Sequence, residues 1–200
     1  MRKKTLILGI DSGCWEYLDP LLEQGRLPNI AALAQRGVRG VLESTMPPIT
    51  PVAFSSFITG VNPGQHGIFD WSVRRDDGQG FQPASASCRR GVPFWHYLNQ
   101  SGVRVGLFNI PMTYPPQPLD GFIVAGISVP RTSRSFTYPA EVLDFIESRF
   151  GPYQVDVPLE VLREQGIEAY LAAWQEYERR QTDIALALMD EFAVDVLAFN

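Results

Sequence analysis

Asp11 and Thr50 are the two residues whose type and setting best suit chemistry. Asp11 directly follows an apolar run at residues 5–10, and Thr50 stands at a predicted helix N-cap with Pro51 at the first helical position. A hydroxyl at a helix N-terminus meets free backbone N–H groups and the positive end of the dipole, which suits a nucleophile for an anionic phosphoryl group. Both residues are also common helix caps, so a purely structural role stays open for each.

The histidines and the arginine pairs are weaker candidates. The sequence holds two histidines, His66 in a glycine-rich loop and His96 in a short predicted helix. A loop histidine can serve as a ligand or proton donor, but a hydrogen-bonded structural group is favoured for His66, and packing beside Trp95 for His96. The arginine pairs at 74–75 and 89–90 could clamp a phosphate, and a solvated loop over 74–90 is the favoured interpretation.

The surrounding pattern predicts an α/β fold. The run at 5–10 is apolar throughout and does not alternate, which is typical of a strand covered on both faces in a parallel sheet, and further strands are predicted at 38–44, 103–108, 122–125 and 194–199. Helical patterns lie between them, at 15–24, at 27–37 with Asn29 as cap, from Thr50 to Gly60, at 92–100, at 140–150, and at 159–190 with an interruption at Gly166. Because ligands gather at the carboxyl ends of such strands, Asp11 and Thr50 are expected at one edge of the sheet.

The amino-acid composition argues against several classes of partner and location. The 200 residues are 45% hydrophobic and carry a formal charge of −5, which fits a globular protein and argues against a nucleic-acid polymer or an anionic membrane as partner. No run is long enough to span a membrane, and the opening apolar stretch is too short for a signal peptide, so a cytoplasmic protein is expected. Cys14 and Cys88 are too few for a disulfide framework and are predicted to be free thiols.

Four blocks in the same order resemble the alkaline phosphatase superfamily, specifically the prokaryotic form of the type I phosphodiesterase/nucleotide pyrophosphatase family. They lie at 8–13, 47–60, 62–70 and 109–116. The resemblance implies a three-layer α/β/α sandwich with a mostly parallel sheet, two divalent metal ions, most simply Zn²⁺, and a small-molecule phosphate ester as substrate. It also implies that Asp11 binds one metal, and that Thr50 binds the same metal and attacks phosphorus to form a phospho-threonine.

Departures from the family pattern are equally informative. The other family ligands, two aspartates and three histidines, follow the strand at 194–199, and His66 and His96 do not occupy ligand positions. Residues 1–200 are therefore expected to be the N-terminal portion of a single catalytic domain and to be inactive alone, since Zn²⁺ takes about four ligands. Trp71 stands where the nucleotide pyrophosphatase members carry an asparagine, which leaves the substrate class open.

Two other functions stay open from the sequence. One is a phosphotransferase or mutase of the same superfamily, although the mutase-like members usually carry serine as nucleophile and the transferase-like members a membrane anchor. The other is a non-catalytic α/β binding module in which Asp11 and Thr50 only cap helices. The oligomeric state is not indicated by any pattern in the chain.

Overall fold

The computed structural model describes residues 4–200, which form seven strands and seven helices. The strands are β1 (Thr5–Leu8), β2 (Ser72–Arg74), β3 (Phe81–Pro83), β4 (Val105–Phe108), β5 (Gly121–Val124), β6 (Thr137–Tyr138) and β7 (Val196–Phe199). The helices are α1 (Trp15–Glu23), α2 (Pro28–Arg36), α3 (Thr50–Thr59), α4 (Pro63–His66), α5 (Phe94–Gln100), α6 (Glu141–Phe150) and α7 (Leu159–Glu191). The predicted α/β class is thereby confirmed.

The central sheet has five strands in the order β1-β7-β4-β5-β6. The first four are mutually parallel, and β6 runs antiparallel to β5. Val196 of β7 pairs with Thr5 on one side and with Val105 on the other, so the last strand in the chain fills the gap between β1 and β4. The carboxyl ends of the four parallel strands therefore meet at one edge, the edge at which open α/β sheets bind ligands.

Strands β4 and β5 form the centre of the hydrophobic core. All four residues of each strand are buried, as continuous apolar runs predict for parallel strands covered on both faces. Ile146 of α6 and Leu188 of α7 belong to the same core and are fully buried. Burial of a side chain of this size contributes roughly 1.5–3 kcal/mol, so these helices hold the sheet rigid behind its carboxyl edge.

Helix α3 is anchored by its own apolar residues and ended by a glycine. Val52 and Ile58 are fully buried in the core, and Gly60 has the left-handed backbone (φ 70°) that ends the helix, as predicted. One detail of the sequence-based prediction is wrong: the N-cap residue is Ile49, and Thr50 is the first helical residue. The extended Ile49 lets the chain enter the helix one residue earlier, so Thr50 is not a capping residue.

Gly126 is required where the chain leaves β5. A Cβ at this position would overlap the backbone carbonyl oxygen of Asn109, whereas a Cβ at Gly40 would meet nothing within 4 Å. Gly126→Ala is expected to lower the free energy of unfolding by about 1–3 kcal/mol, the usual cost of overpacking. Gly40→Ala serves as the matched control in urea denaturation; an equal effect of the two substitutions would contradict the steric explanation.

Three predictions about the first 44 residues need correction. Residues 38–44 form no strand, because they pair with no other segment of residues 4–200, and Val38, Val41 and Leu42 are exposed. Asn29 lies inside α2, whose N-cap is Leu27, because Pro28 already occupies the first helical position. Strand β1 is not covered on both faces: it lies at the edge of the sheet, and Leu6 and Leu8 are more than half exposed.

The segment predicted as a solvated loop contains a small hairpin. Strands β2 and β3 pair antiparallel, with Val73 opposite Gln82. Because each strand has only three residues, no periodic signal marks it in the sequence. His96 is exposed on α5 and contacts Tyr97 and Gln100, so the predicted packing against Trp95 is also wrong: Trp95 is buried in the core, whereas His96 lies at the surface.

Two further predictions, the interruption of the last helix and the free cysteines, are confirmed. Helix α7 is interrupted at Gly166, whose backbone is not helical (φ 86°, ψ 178°). Both cysteines are free thiols. Within residues 4–200, none of the helices combines the length and the apolar character that a bilayer crossing requires.

Candidate active site at the carboxyl edge of the sheet

A cavity of about 690 Å³ lies at the carboxyl edge of the parallel sheet. The ends of β1, β4 and β7, the N-terminus of α3, the segment after β5 and one side of α7 contribute to its wall. Asp11 and Thr50 both line it, so the structure brings together the two residues that the sequence singled out. β1 leads into Asp11 at the carboxyl edge of the sheet, and the first residue of α3, Thr50, lines the cavity at the same edge.

The Thr50 hydroxyl is unengaged. The other hydroxyl side chains of α3 are all hydrogen-bonded: Ser55 donates to the Pro51 carbonyl (2.6 Å), Thr59 donates to the Ser55 carbonyl (2.7 Å), and Ser56 lies 3.0 Å from His66 Nε2. Within residues 4–200, Thr50 forms neither a capping bond nor any other side-chain hydrogen bond. A capping threonine would accept a bond from the helix N-terminus, so the structure argues against the purely structural role.

The Asp11 carboxylate is also without a partner among the described residues. It is exposed, in the turn that links β1 to α1, and the N-cap of α1 is Cys14 rather than Asp11. The capping role therefore fails for Asp11 as well. A free carboxylate and a free hydroxyl that line one cavity offer oxygen atoms that can bind a cation.

Asn200 adds a third oxygen that sequence reasoning missed. Its Oδ1 atom is buried without any hydrogen-bond partner, and its residue lines the same cavity. A Cβ on Gly9 would lie 2.5 Å from this oxygen, so the glycine makes room for the amide. The strand-end rule that selected Asp11 also applies to Asn200, which directly follows β7, and would have found it.

The cavity is acidic. Its charged lining residues are Asp11, Asp156 and Glu178, and its described lining contains no lysine, arginine or histidine. Asp156 is balanced by Arg131 at 3.2 Å, whereas Asp11 is not balanced. A phosphoryl anion would therefore be repelled unless a cation accompanied it.

These oxygen atoms are of a chemical type that binds divalent cations, but they are fewer than the ligands that such a cation takes. Carboxylate, hydroxyl and amide oxygens are ordinary ligands of hard or borderline cations. Zn²⁺ takes about four ligands, and residues 4–200 hold no group of three or more His, Cys, Asp or Glu side chains arranged for a metal. Asp11 and Thr50 can thus supply part of a metal site.

His66 is a structural residue next to this helix. It is fully buried; the Ile68 amide donates to its Nδ1 atom (3.1 Å), so Nε2 carries the proton and donates to Ser56. Burial, and then the nearby charge of Arg89, lower the pKa of His66 below its ordinary value. The imidazole is therefore held neutral, as the structural interpretation of the sequence expected.

This neutral imidazole predicts a loss of stability in acid. Because the folded-state pKa of His66 lies below the unfolded value near 6.5, the unfolded chain binds a proton first as the pH falls. The free energy of unfolding should decrease from pH 7 to about pH 5, and less so in His66→Gln. His96→Gln is the control, since His96 is exposed, and should keep the wild-type slope. Identical slopes for wild type and His66→Gln in denaturant titrations would contradict the assignment.

Aromatic residues also line the cavity, of which only Trp71 was singled out for function in the sequence, as the position where nucleotide pyrophosphatase members carry an asparagine. Trp71, Trp174 and Tyr177 line the cavity, and Tyr177 donates a hydrogen bond of 2.8 Å to the Val155 carbonyl. Burial raises the pKa of Tyr177. The aromatic residues of α7 were predicted as packing residues, and Trp174 and Tyr177 also line the cavity that Asp11 lines.

Comparison with known protein families tests the family resemblance of the four sequence blocks. The sequence profile described as type I phosphodiesterase / nucleotide pyrophosphatase matches residues 5–194. The chain belongs to this family. No curated protein matches it in sequence.

Solved structures extend the comparison to the fold. Two crystal structures of phosphonoacetate hydrolase from Sinorhizobium meliloti 1021 are similar to the chain, each with a TM-score of 0.60. The complex with phosphonoacetate is 16% identical and the complex with phosphonoformate 18% identical. The alkaline phosphatase-like fold is thereby confirmed. The match covers 98% of this chain and 45% of the neighbour, so the chain spans less than half the length of those structures.

Proposed function

We propose that this protein is a metal-dependent phosphoester hydrolase in which Thr50 is the nucleophile. The observation that supports this proposal most directly is that the Thr50 hydroxyl, at the N-terminus of α3, has no hydrogen-bond partner among the described residues. It lines the same cavity as the Asp11 carboxylate, which has no partner there either. Membership of the type I phosphodiesterase / nucleotide pyrophosphatase family supports the reaction class.

The reaction has two displacements at phosphorus. The Thr50 oxygen forms a bond to phosphorus while the bond to the leaving alcohol breaks, and the hydroxyl proton ends on that alcohol. Water then attacks the phospho-threonine, releases the phosphate product and returns the proton to Thr50. A divalent cation, when bound, supplies charge that lowers the pKa of the hydroxyl and offsets the negative charge on the phosphoryl oxygens.

Asp11 and Thr50 are the residues of this chain that would hold such a cation, most simply Zn²⁺. In the first turn of α3, Pro51 has no N–H and the amides of Val52 and Ala53 donate to the Ile49 carbonyl, so among the described residues the Thr50 N–H is left free to face an anion. Since these two ligands are fewer than the four that Zn²⁺ takes, residues 1–200 alone are proposed to be inactive. Further ligands supplied by a longer chain would complete the site.

The test is hydrolysis by the full-length protein after EDTA treatment, with and without added Zn²⁺. A diester, bis(p-nitrophenyl) phosphate, and a monoester, p-nitrophenyl phosphate, cover the two ester classes. Phosphonoacetate belongs in the same panel, because the neighbouring structures bind phosphonates. Metal-dependent release of nitrophenol is the expected result.

Two other outcomes would point to the alternatives. Transfer of the phosphoryl group to an added alcohol in preference to water would indicate a phosphotransferase or mutase. Absence both of turnover and of any Zn²⁺-dependent rise in melting temperature would indicate a binding module without catalysis.

A further inference from the structure

Arg89 is a buried cation without a counter-charge. Its residue is only 9% exposed, its Nε atom is buried with no hydrogen-bond partner, and it forms no ion pair within residues 4–200. The guanidinium carbon lies 5.9 Å from the centroid of the Trp95 ring. Burial lowers the pKa of Arg89 to about 10, so the group is still charged at neutral pH. A buried charge of this kind is unfavourable unless something else satisfies it.

The chain holds Arg89 firmly in this position. The Arg90 amide donates to the His66 carbonyl (2.9 Å), and the Ala86 amide donates to the Tyr114 carbonyl (2.7 Å). Gly91 packs closely against Thr59 of α3, where a Cβ would approach the threonine side chain to 3.2 Å. The segment on both sides of Arg89 is thus tied to the core, which fixes the backbone from which the arginine side chain extends.

A second cavity, of about 850 Å³, adjoins this arginine. Arg74, Arg89 and Arg90 line it, with the hairpin of β2 and β3 forming one wall. Its acidic residues are Asp70, which accepts a bond from the Trp71 amide (2.7 Å), and the exposed Asp76. Three arginines against two aspartates leave the lining with a positive balance, the opposite of the cavity that contains Asp11 and Thr50.

The lining also offers neutral donors. Ser85 and Ser87 carry hydroxyl groups into the wall, and Ser85 lies 3.4 Å from the Cys88 sulfur. A guanidinium presents a planar set of N–H donors that matches the oxygens of a phosphate or carboxylate group. Nearby hydroxyl groups can donate hydrogen bonds to the same phosphate or carboxylate oxygens without adding charge to the site.

We propose that this second cavity binds the phosphate group of a small molecule, with Arg89 as its principal charged ligand. The proposal rests on Arg89 and its cavity, and on neither Thr50 nor Asp11, which do not line it. It therefore stands or falls separately from the hydrolytic function.

The test is a phosphate titration of the EDTA-treated full-length protein, followed by calorimetry and thermal unfolding. Inorganic phosphate should raise the melting temperature by about 3 °C relative to chloride at equal ionic strength. Acetate in place of phosphate separates a phosphate site from a carboxylate site. Thr50→Ala should bind phosphate as the wild type does, which excludes the proposed catalytic cavity as the source of the signal.

Arg89→Met is the decisive variant. Removing an unsatisfied buried charge should raise the melting temperature in phosphate-free buffer and should abolish the phosphate-dependent rise. Arg75→Met is the matched control, because Arg75 is exposed, pairs with Asp77 at 3.4 Å and does not line the cavity. A phosphate response that is equal in both variants, or absent in the wild type, would overturn the proposal.

A direct measurement keeps the test valid if Arg89→Met does not fold. In the wild type, the Nε–H resonance of Arg89 should shift on addition of phosphate, with assignment by Arg89→Lys. That variant keeps the charge but loses the planar donor set, so its phosphate affinity should fall about tenfold. An unmoved Arg89 resonance at saturating phosphate would refute the assignment.

Discussion

Thr50→Ala is expected to reduce metal-dependent phosphoester hydrolysis by about a thousandfold or more, because it removes the oxygen that we propose as the nucleophile. The fold should persist, since the Thr50 hydroxyl forms no side-chain hydrogen bond in the structure and the helix is held by Val52 and Ile58. Initial rates with a nitrophenyl ester, together with circular dichroism spectra of each variant, are the measurement.

Two further variants sharpen this result. Thr50→Ser retains a hydroxyl and should keep a measurable part of the activity, whereas Thr132→Ala, an exposed threonine outside the cavity, should leave the rate unchanged. Rapid acid quenching of the wild type during turnover should reveal one phosphoryl group on the peptide that contains Thr50. Undiminished activity of Thr50→Ala would remove Thr50 from its proposed role.

Asp11→Asn is expected to weaken metal binding, because it replaces a free carboxylate with a neutral amide. Affinity of the full-length protein for Zn²⁺ should fall by about a hundredfold or more, and the Zn²⁺-dependent rise in melting temperature should shrink accordingly. Calorimetric titration of the EDTA-treated protein measures the first quantity, and thermal unfolding measures the second.

The matched control for Asp11 is Asp190→Asn. Asp190 is exposed on α7 and lies outside both cavities, so its substitution should not alter Zn²⁺ affinity. If the two variants bind Zn²⁺ equally well, the carboxylate of Asp11 is not a ligand. Loss of activity in Asp11→Asn at unchanged affinity would instead assign it a role in positioning.

These two effects depend on a juxtaposition that could be predicted from the sequence. The apolar run before Asp11 and the helix that begins near Thr50 each place a polar residue at the end of a strand or the start of a helix. In a parallel sheet such ends share one edge, and Asp11 and Thr50 do line one cavity. That Thr50 is the first helical residue, rather than the N-cap of α3, depended on the backbone of Ile49.

Other features of the structure could not be predicted from short segments of the sequence. Whether residues 38–44 formed a strand depended on a partner, and none pairs with them in the described chain. The hairpin of β2 and β3 is too short for a periodic pattern, and the burial of Arg89 results from contacts with His66, Tyr114 and Thr59 that its segment makes across the fold. Contacts of this kind are absent from any window of neighbouring residues.

By itself, the sequence determined the α/β class, the core strands and helices of the second half, the break at Gly166, and the candidacy of Asp11 and Thr50. Those features follow from local periodicity, glycine conformation and strand-end position, which are properties of short segments. Only the tertiary structure decided that β7 lies between β1 and β4, that Asn200 joins the first cavity, and that Arg89 is buried beside a second. The physical reason is that pairing, burial and charge balance depend on residues far apart in the chain.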